Sequence, residues 1–159
     1  MTREEYNSFV REQQEPLRRF LLNLSGGDRY LADEVAEEAF VKAYVSLGSF
    51  RGRCKLSTWL FRIAYNCFYD HVRRQGREVK LDTARDIETE DPVQRGERRE
   101  ILQRALMQLS VPQRDVTLLF YMEDKSIREI SGITGMNGNT VKSHLRRAKQ
   151  TMKTYLSKM

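Results

Sequence analysis

Five side chains recur on one helical face between residues 59 and 73: Trp59, Arg62, Asn66, Tyr69 and Arg73, at i, i+3, i+7, i+10 and i+14. An aromatic ring, a cation and an amide in that repeat can stack on bases and hydrogen-bond their edges, which is how proteins hold unpaired nucleic acid. Just upstream, residues 49–56 have the composition of a loop and add Phe50, Arg51, Arg53 and Lys55. Together these residues form a candidate platform for single-stranded DNA. The same pattern also fits a plainer role, in which Trp59 and Tyr69 cap an apolar core.

A second constellation lies near the C-terminus. Lys142, Arg146, Lys149 and Lys153 recur at i, i+4, i+7 and i+11, with Ser143 and Arg147 beside them. On the opposite side Val141, Leu145, Ala148 and Met152 have the spacing of a buried face and can meet Ile127, Ile130 and Ile133. Ser126-Ile127-Arg128-Glu129 has capping-box spacing, and Gly135-Met136-Asn137 supplies a tight turn between the two segments. Two short helices joined at a glycine, the second with a basic outer face, match a helix-turn-helix whose second helix enters the major groove. Arginine there can read guanine edges, while lysine and serine position the helix on phosphates.

A third group has the opposite sign. Asp33, Glu34, Glu37 and Glu38 crowd one side of a predicted helix, and Lys42 follows Glu38 at i+4. Such a face should avoid phosphates; it is either a solvated surface or a docking surface for a basic partner. Catalytic chemistry finds little support: Cys67 and His71 are four apart, but no third ligand is placed nearby, His144 lies in the basic helix, and no phosphate-binding glycine loop occurs. No cofactor, metal site or enzymatic activity is expected.

The elements that must position these groups are helical throughout. Thr2-Arg3-Glu4-Glu5 opens a first helix with capping-box spacing, and Pro16 predicts a kink or a break into two helices. A second helix is predicted over residues 30–47 and a third from a Ser57 cap to Arg74. Residues 76–96 form a polar stretch containing Glu88-Thr89-Glu90-Asp91, which reads as a flexible linker. An apolar-periodic segment, Ile101 to Leu109, is stopped by Pro112, and a new helix follows through Val116, Leu118, Leu119 and Tyr121. The fold class is therefore all-α: two small helical domains, 1–75 and 97–159, joined by the linker.

Charge follows the same division. The 159 residues carry a net charge of +6, but residues 97–159 hold 12 basic and 6 acidic side chains, and nothing after Glu129 is acidic. A one-signed end raises the local concentration of a polyanion. A charged N-terminus, two cysteines and the lack of a long apolar run argue against secreted, membrane and disulfide-stapled classes, leaving a cytoplasmic protein.

The chain resembles the extracytoplasmic-function sigma factors of bacterial RNA polymerase. The resemblance rests first on Glu37-Glu38-Ala39-Phe40-Val41-Lys42-Ala43-Tyr44, Ser49-Phe50-Arg51-Gly52 and Ser57-Thr58-Trp59-Leu60-Phe61-Arg62-Ile63-Ala64-Tyr65-Asn66. It rests next on Leu109 to Pro112, Arg114, Glu129-Ile130, Gly135, Thr140-Val141-Lys142-Ser143, Leu145, Arg147 and Ala148. Gly132, inside the first helix of the motif, and Asn139, where a glycine is common, depart from the usual pattern. The resemblance implies a region 2 domain over 1–75 that recognises and helps melt the −10 element, through Phe50, Arg51, Arg53, Lys55, Trp59, Arg62, Asn66, Tyr69 and Arg73. It implies a region 4 domain over 97–159 that reads the −35 duplex through Thr140, Lys142, Ser143, Arg146 and Arg147. Glu34, Glu37, Glu38 and Lys42 would then dock on the clamp helices of core RNA polymerase. Promoter DNA, the polymerase flap and an anti-sigma factor are the other implied partners, with nucleoid association when polymerase-bound. The alternative is a stand-alone helix-turn-helix repressor or activator, which would leave the Trp59 stripe and the acidic helix unused.

Two promoter elements one and a half to two DNA turns apart are separated by roughly 50–70 Å. A 21-residue linker reaches at most ~70 Å extended and averages ~25 Å as a coil. The free protein is therefore expected to be more compact than the promoter-bound one.

Overall fold

The computed structural model describes residues 1–76 and 93–159, and the described residues contain helices and turns but no strand. Helix α1 spans Arg3–Leu24, α2 Arg29–Val45 and α3 Leu56–Arg74. After the undescribed stretch come α4 (Val93–Met107), α5 (Val111–Thr117), α6 (Ile127–Thr134) and α7 (Gly138–Ser157). Most of the segment expected to be a flexible linker lies outside the described residues, and its last few residues belong to α4.

Local chemistry explains most helix ends. Thr2 accepts from the Glu5 amide while the Glu5 carboxylate accepts from the Thr2 amide, which closes the predicted capping box of α1. Gly26 and Gly27 turn the chain with φ of 69° and 99°, and Asp28 then caps α2 by accepting from the Leu31 amide at 3.1 Å. Ser126 and Glu129 close a second box at the start of α6, and Gly135 ends that helix at φ 79°. Asn137 begins α7, its side-chain oxygen accepting from the Asn139 amide at 2.8 Å.

Three expectations change. Helix α1 runs unbroken through Pro16, because Leu17, Phe20, Leu21 and Leu24, all fully buried, hold the residues after the proline against the core. That burial outweighs the hydrogen bond the proline cannot donate. Ser57 lies within α3, whose cap position is Lys55, a residue whose side chain makes no capping hydrogen bond. Residues Leu118–Met122 form a π-helical turn continuing α5, and Asp124 follows at φ 54°.

The first lobe packs α1, α2 and α3 around Phe20, Leu21, Val35, Ala39, Leu60, Phe61, Ala64 and Phe68. Phe20 and Phe61 stack with centroids 5.4 Å apart, and the Tyr6 hydroxyl donates to the Phe40 carbonyl at 2.7 Å. The second lobe packs Leu106, Leu109, Val116, Leu119, Ile130, Ile133, Val141 and Ala148. The two cores are continuous, because α3 also packs on α6. Each lobe alone is small for a stable core, and joining them raises the fraction of apolar surface removed from water.

The left-handed turn at Gly135 gives a direct test. A Cβ there would meet nothing within 4 Å, so replacement strains only the backbone. Gly135→Ala should cost about 1 kcal/mol and lower the thermal midpoint by about 2–4 °C, read by circular dichroism. An unchanged or raised midpoint would contradict the turn's assigned role.

Candidate nucleic-acid and partner interfaces

Helix α3 is divided by its periodicity into three faces. Leu60, Ala64, Cys67 and Phe68 point into the first-lobe core. Thr58, Phe61, Tyr65 and Tyr69 face the second lobe, where Tyr65 and Tyr69 both donate to one oxygen of Asp115, at 2.8 Å and 2.5 Å. The third face holds the predicted stripe. Arg62, Asn66 and Arg73 are exposed and Trp59 is half-buried, its ring 5.2 Å from that of Phe50. Arg51, Arg53 and Lys55 are exposed in the preceding loop. The structure thus brings the loop and four of the five stripe residues onto one side. Tyr69, at the edge of that stripe, has its hydroxyl committed to the other lobe. Arg73 pairs with Asp70 on its own helix.

Further polar contacts cross the seam. Arg19 forms a two-pronged pair with Glu123, at 3.0 and 2.8 Å, and the Glu123 side chain is 1% exposed. The Lys125 ammonium sits 4.3 Å over the Phe61 ring, where burial pulls its pKa down. Thr58 donates to Glu129 at 3.3 Å, with Lys55 4.0 Å from the same carboxylate. Burial raises the Asp115 carboxyl, opposed by the Tyr69 hydroxyl and then the adjacent Arg114. The two tyrosines are raised as well, chiefly by burial and then by the Asp115 charge.

On α7 the predicted residues lie open. Thr140, Lys142, Arg146, Arg147, Lys149 and Lys153 are exposed and Ser143 is half-buried. Opposite them Val141 and Ala148 are buried against the rest of the motif. Between the starts of α6 and α7 lies an open concavity of about 400 Å³ whose polar lining is Arg128, Ser131, Asn137, Asn139 and Lys142. Neither Arg128 nor Asn139 was among the DNA contacts expected from the sequence. Arg128 was visible as the basic residue inside the Ser126–Glu129 box, but only folding brings it beside Lys142.

Helix α2 presents more than acidity. Glu34 and Glu37 are exposed, and Tyr30, Val41, Tyr44 and Val45 are exposed around them at 83%, 63%, 51% and 78%. Their spacing puts an apolar and acidic stripe on one helix face, the kind of exposed patch that marks a protein-binding surface. Sequence reasoning found the acids and missed the apolar residues, because an exposed face is not distinguishable from a buried one by periodicity alone. Glu38 and Lys42 are different: they pair at 3.0 Å, and Glu38 also binds His71 of α3 at 2.6 Å.

The comparisons with known proteins agree in both halves. Residues 9–78 match the family model for sigma-70 region 2 and residues 99–152 that for sigma-70 region 4. The extracytoplasmic-function RNA polymerase sigma factor SigM of Bacillus subtilis is 30% identical over 140 residues, covering 85% of each chain. This chain belongs to the extracytoplasmic-function sigma factors. SigW of the same organism is 30% identical over 145 residues, covering 82% of this chain and 78% of its own. The sigma factor RpoE from Bartonella quintana, solved with the anti-sigma factor NepR, superposes with a TM-score of 0.74 at 29% identity, covering 94% of this chain and 97% of its own. Members of this family direct RNA polymerase to promoters, and the chain is a sigma factor in that sense. No helix of the described residues is long and apolar enough to cross a membrane.

The Glu38–His71 bond ties α2, with its exposed stripe, to α3. The histidine interaction is the largest influence holding the Glu38 carboxyl below its ordinary value of 4.5. A depressed carboxyl stabilises the fold above its unfolded pKa and loses that contribution as pH falls through the folded pKa. Glu38→Gln should therefore lower the thermal midpoint at pH 7, and the difference should shrink as the pH falls below 4.5. A difference of equal size at both pH values would show that the carboxylate charge is not what matters.

Proposed function

We propose that this sigma factor reads promoters with two faces of different chemistry: α7 on −35 duplex, and α3 with its preceding loop on an opened −10 element. The observation that supports this most is that one chain displays a solvent-open basic helix together with a separate aromatic and basic face. A stand-alone repressor would need only the first.

On α7, Arg146 and Arg147 would reach base edges, while Thr140, Lys142 and Ser143 would hold phosphates near the helix start. Arg128 and Asn139, on the adjoining concavity, add bonds to the DNA backbone. On the first lobe, Trp59 and Phe50 form two aromatic walls at the mouth of the loop carrying Arg51, Arg53 and Lys55. A base drawn out of the duplex would stack there, and flanking phosphates would meet the cations. Asn66 and Arg62 supply edge and backbone hydrogen bonds further along the strand, and Arg73 extends the basic track. Tyr69 joins this surface only when its hydroxyl is released from Asp115.

Core polymerase would dock on α2. Glu34 and Glu37 offer charge to a basic partner, and Tyr30, Val41 and Val45 supply apolar area. Glu38 and Lys42, already paired, shape this surface and its link to α3. The flap would take the second lobe. An anti-sigma factor that holds the closed chain would compete for the same surfaces, and polymerase binding would bring the chain to the nucleoid. The chain contributes binding and strand separation, and no catalytic step is assigned to it.

The test is run-off transcription with core polymerase on promoters selected by the reconstituted holoenzyme. Transcripts should require both components; tight, specific duplex binding by the chain alone, without transcripts, would favour the stand-alone regulator. Trp59→Ala should reduce permanganate reactivity of −10 thymines while leaving closed-complex formation near normal. Unchanged melting would refute the stacking role. Replacing Arg146 or Arg147 with Ala should weaken −35 binding by about 1–3 kcal/mol wherever the arginine had bridged a base edge with two hydrogen bonds, measured by fluorescence anisotropy. An arginine that only touches phosphate would instead lower affinity equally for all sequences.

A further inference from the structure

The seam between the lobes contains a polar cluster that promoter reading does not explain. Asp115 is fully buried, and one of its oxygens accepts both the Tyr65 and Tyr69 hydroxyls. Its other oxygen has no hydrogen bond among the described residues and lies 3.8 Å from the guanidinium of Arg114. Arg114 is equally buried, and none of its three side-chain nitrogens has a hydrogen-bond partner among the described residues. A buried guanidinium without an acceptor is costly, and so is a half-satisfied carboxylate. Arg114 and the two tyrosines therefore compete for one carboxylate.

We propose that Asp115 is an internal lock: its grip on Tyr65 and Tyr69 holds the free chain closed, and Arg114 keeps the lock releasable by offering the carboxylate a second partner once the lobes separate. In the closed state the tyrosines hold the carboxylate and Arg114 is left short. In the open state water solvates the tyrosine hydroxyls, and the carboxylate swings to the neighbouring guanidinium. Two states that each satisfy part of the cluster lie close in energy, which suits a switch better than a permanent joint.

Geometry gives the lock its consequence. Helix α3 touches α6 so closely that a Cβ on Gly132 would stand 3.5 Å from Thr58 Cγ2. Helix α7 packs on α6, which packs on α3; with helix axes ~8–10 Å apart at each contact and a 20-residue α7 only ~30 Å long, its basic face stays well inside the roughly 50–70 Å that separates the two elements. The closed chain cannot engage both promoter elements, and its Tyr69 hydroxyl is withheld from DNA.

The consequence for transcription rests on the proposed promoter reading, while closure itself does not, so two experiments separate them. In the first, the full chain carrying Cys54→Ser is labelled at Ser8→Cys and Ser157→Cys, and energy transfer is recorded without polymerase. A single high-transfer population is expected, and Tyr65→Phe, which keeps the ring but removes one donor to the carboxylate, should increase the low-transfer fraction roughly tenfold. An unchanged distribution would overturn the lock.

In the second, Thr58→Cys and Gly132→Cys are combined in an unlabelled Cys54→Ser chain and oxidised to a disulfide across the seam. This chain should give no run-off transcript with core polymerase until a reductant is added, and normal yield afterwards. Equal transcription before and after reduction would also overturn the proposal. If the reduced chain also failed to transcribe, the promoter reading would fall, and the energy-transfer result would decide the lock by itself.

Discussion

One helix serves three neighbours, and that constraint organises the molecule. Helix α3 must bury one face in the first-lobe core, lend a second to the other lobe and keep a third for solvent. Phe61 shows how tightly these demands meet, since its ring stacks on Phe20 and also accepts the Lys125 ammonium. A helix of 3.6 residues per turn has room for three such faces only if each is narrow. The residue on the border, Tyr69, is therefore shared between the solvent-facing stripe and the interlobe seam.

The seam is polar where the lobe interiors are apolar. Arg19–Glu123, Thr58–Glu129 and the Asp115 cluster cross it, with Phe61 providing the apolar bridge. Buried charge pairs contribute little net stability because desolvation offsets their attraction, but they define a single geometry. Apolar interiors keep each lobe folded, while the polar seam sets how the lobes meet. The separation of signs serves the same end. The acids of α2 and the cations of α7 lie on different lobes, so the chain presents opposite potentials on different surfaces.

Much of the fold was legible because its signals are local. Both predicted capping boxes formed, as did the Gly135 turn, since a cap or a left-handed residue needs only its near neighbours. Pro16 misled for the opposite reason: its local cost was real, but the buried residues after it decided the outcome. The Ser110–Gln113 capping box of α5 was available in the sequence and went unnoticed beside Pro112, which occupies the first turn of that helix. The π-helical turn after α5 has no sequence signature, because nothing in Leu118–Met122 distinguishes it from ordinary helix. At the candidate sites, the cations of α7 were found because a one-sided charge period can be counted along the chain. The exposed Tyr30, Val41 and Val45 were missed because only burial distinguishes a docking stripe from a core stripe.

The sequence by itself determined that the chain is helical, where its helices turn, which face of α7 carries charge and which family it resembles. Each of these depends on residues within a few positions of one another, or on patterns repeated along one helix. Only the tertiary structure decided that the two cores are continuous, that Tyr69 is held by Asp115, that Arg114 is buried without an acceptor among the described residues and that Gly132 backs onto Thr58. Those facts join residues about 46 to 74 positions apart, and no period or cap encodes which of many possible distant partners a buried side chain will meet.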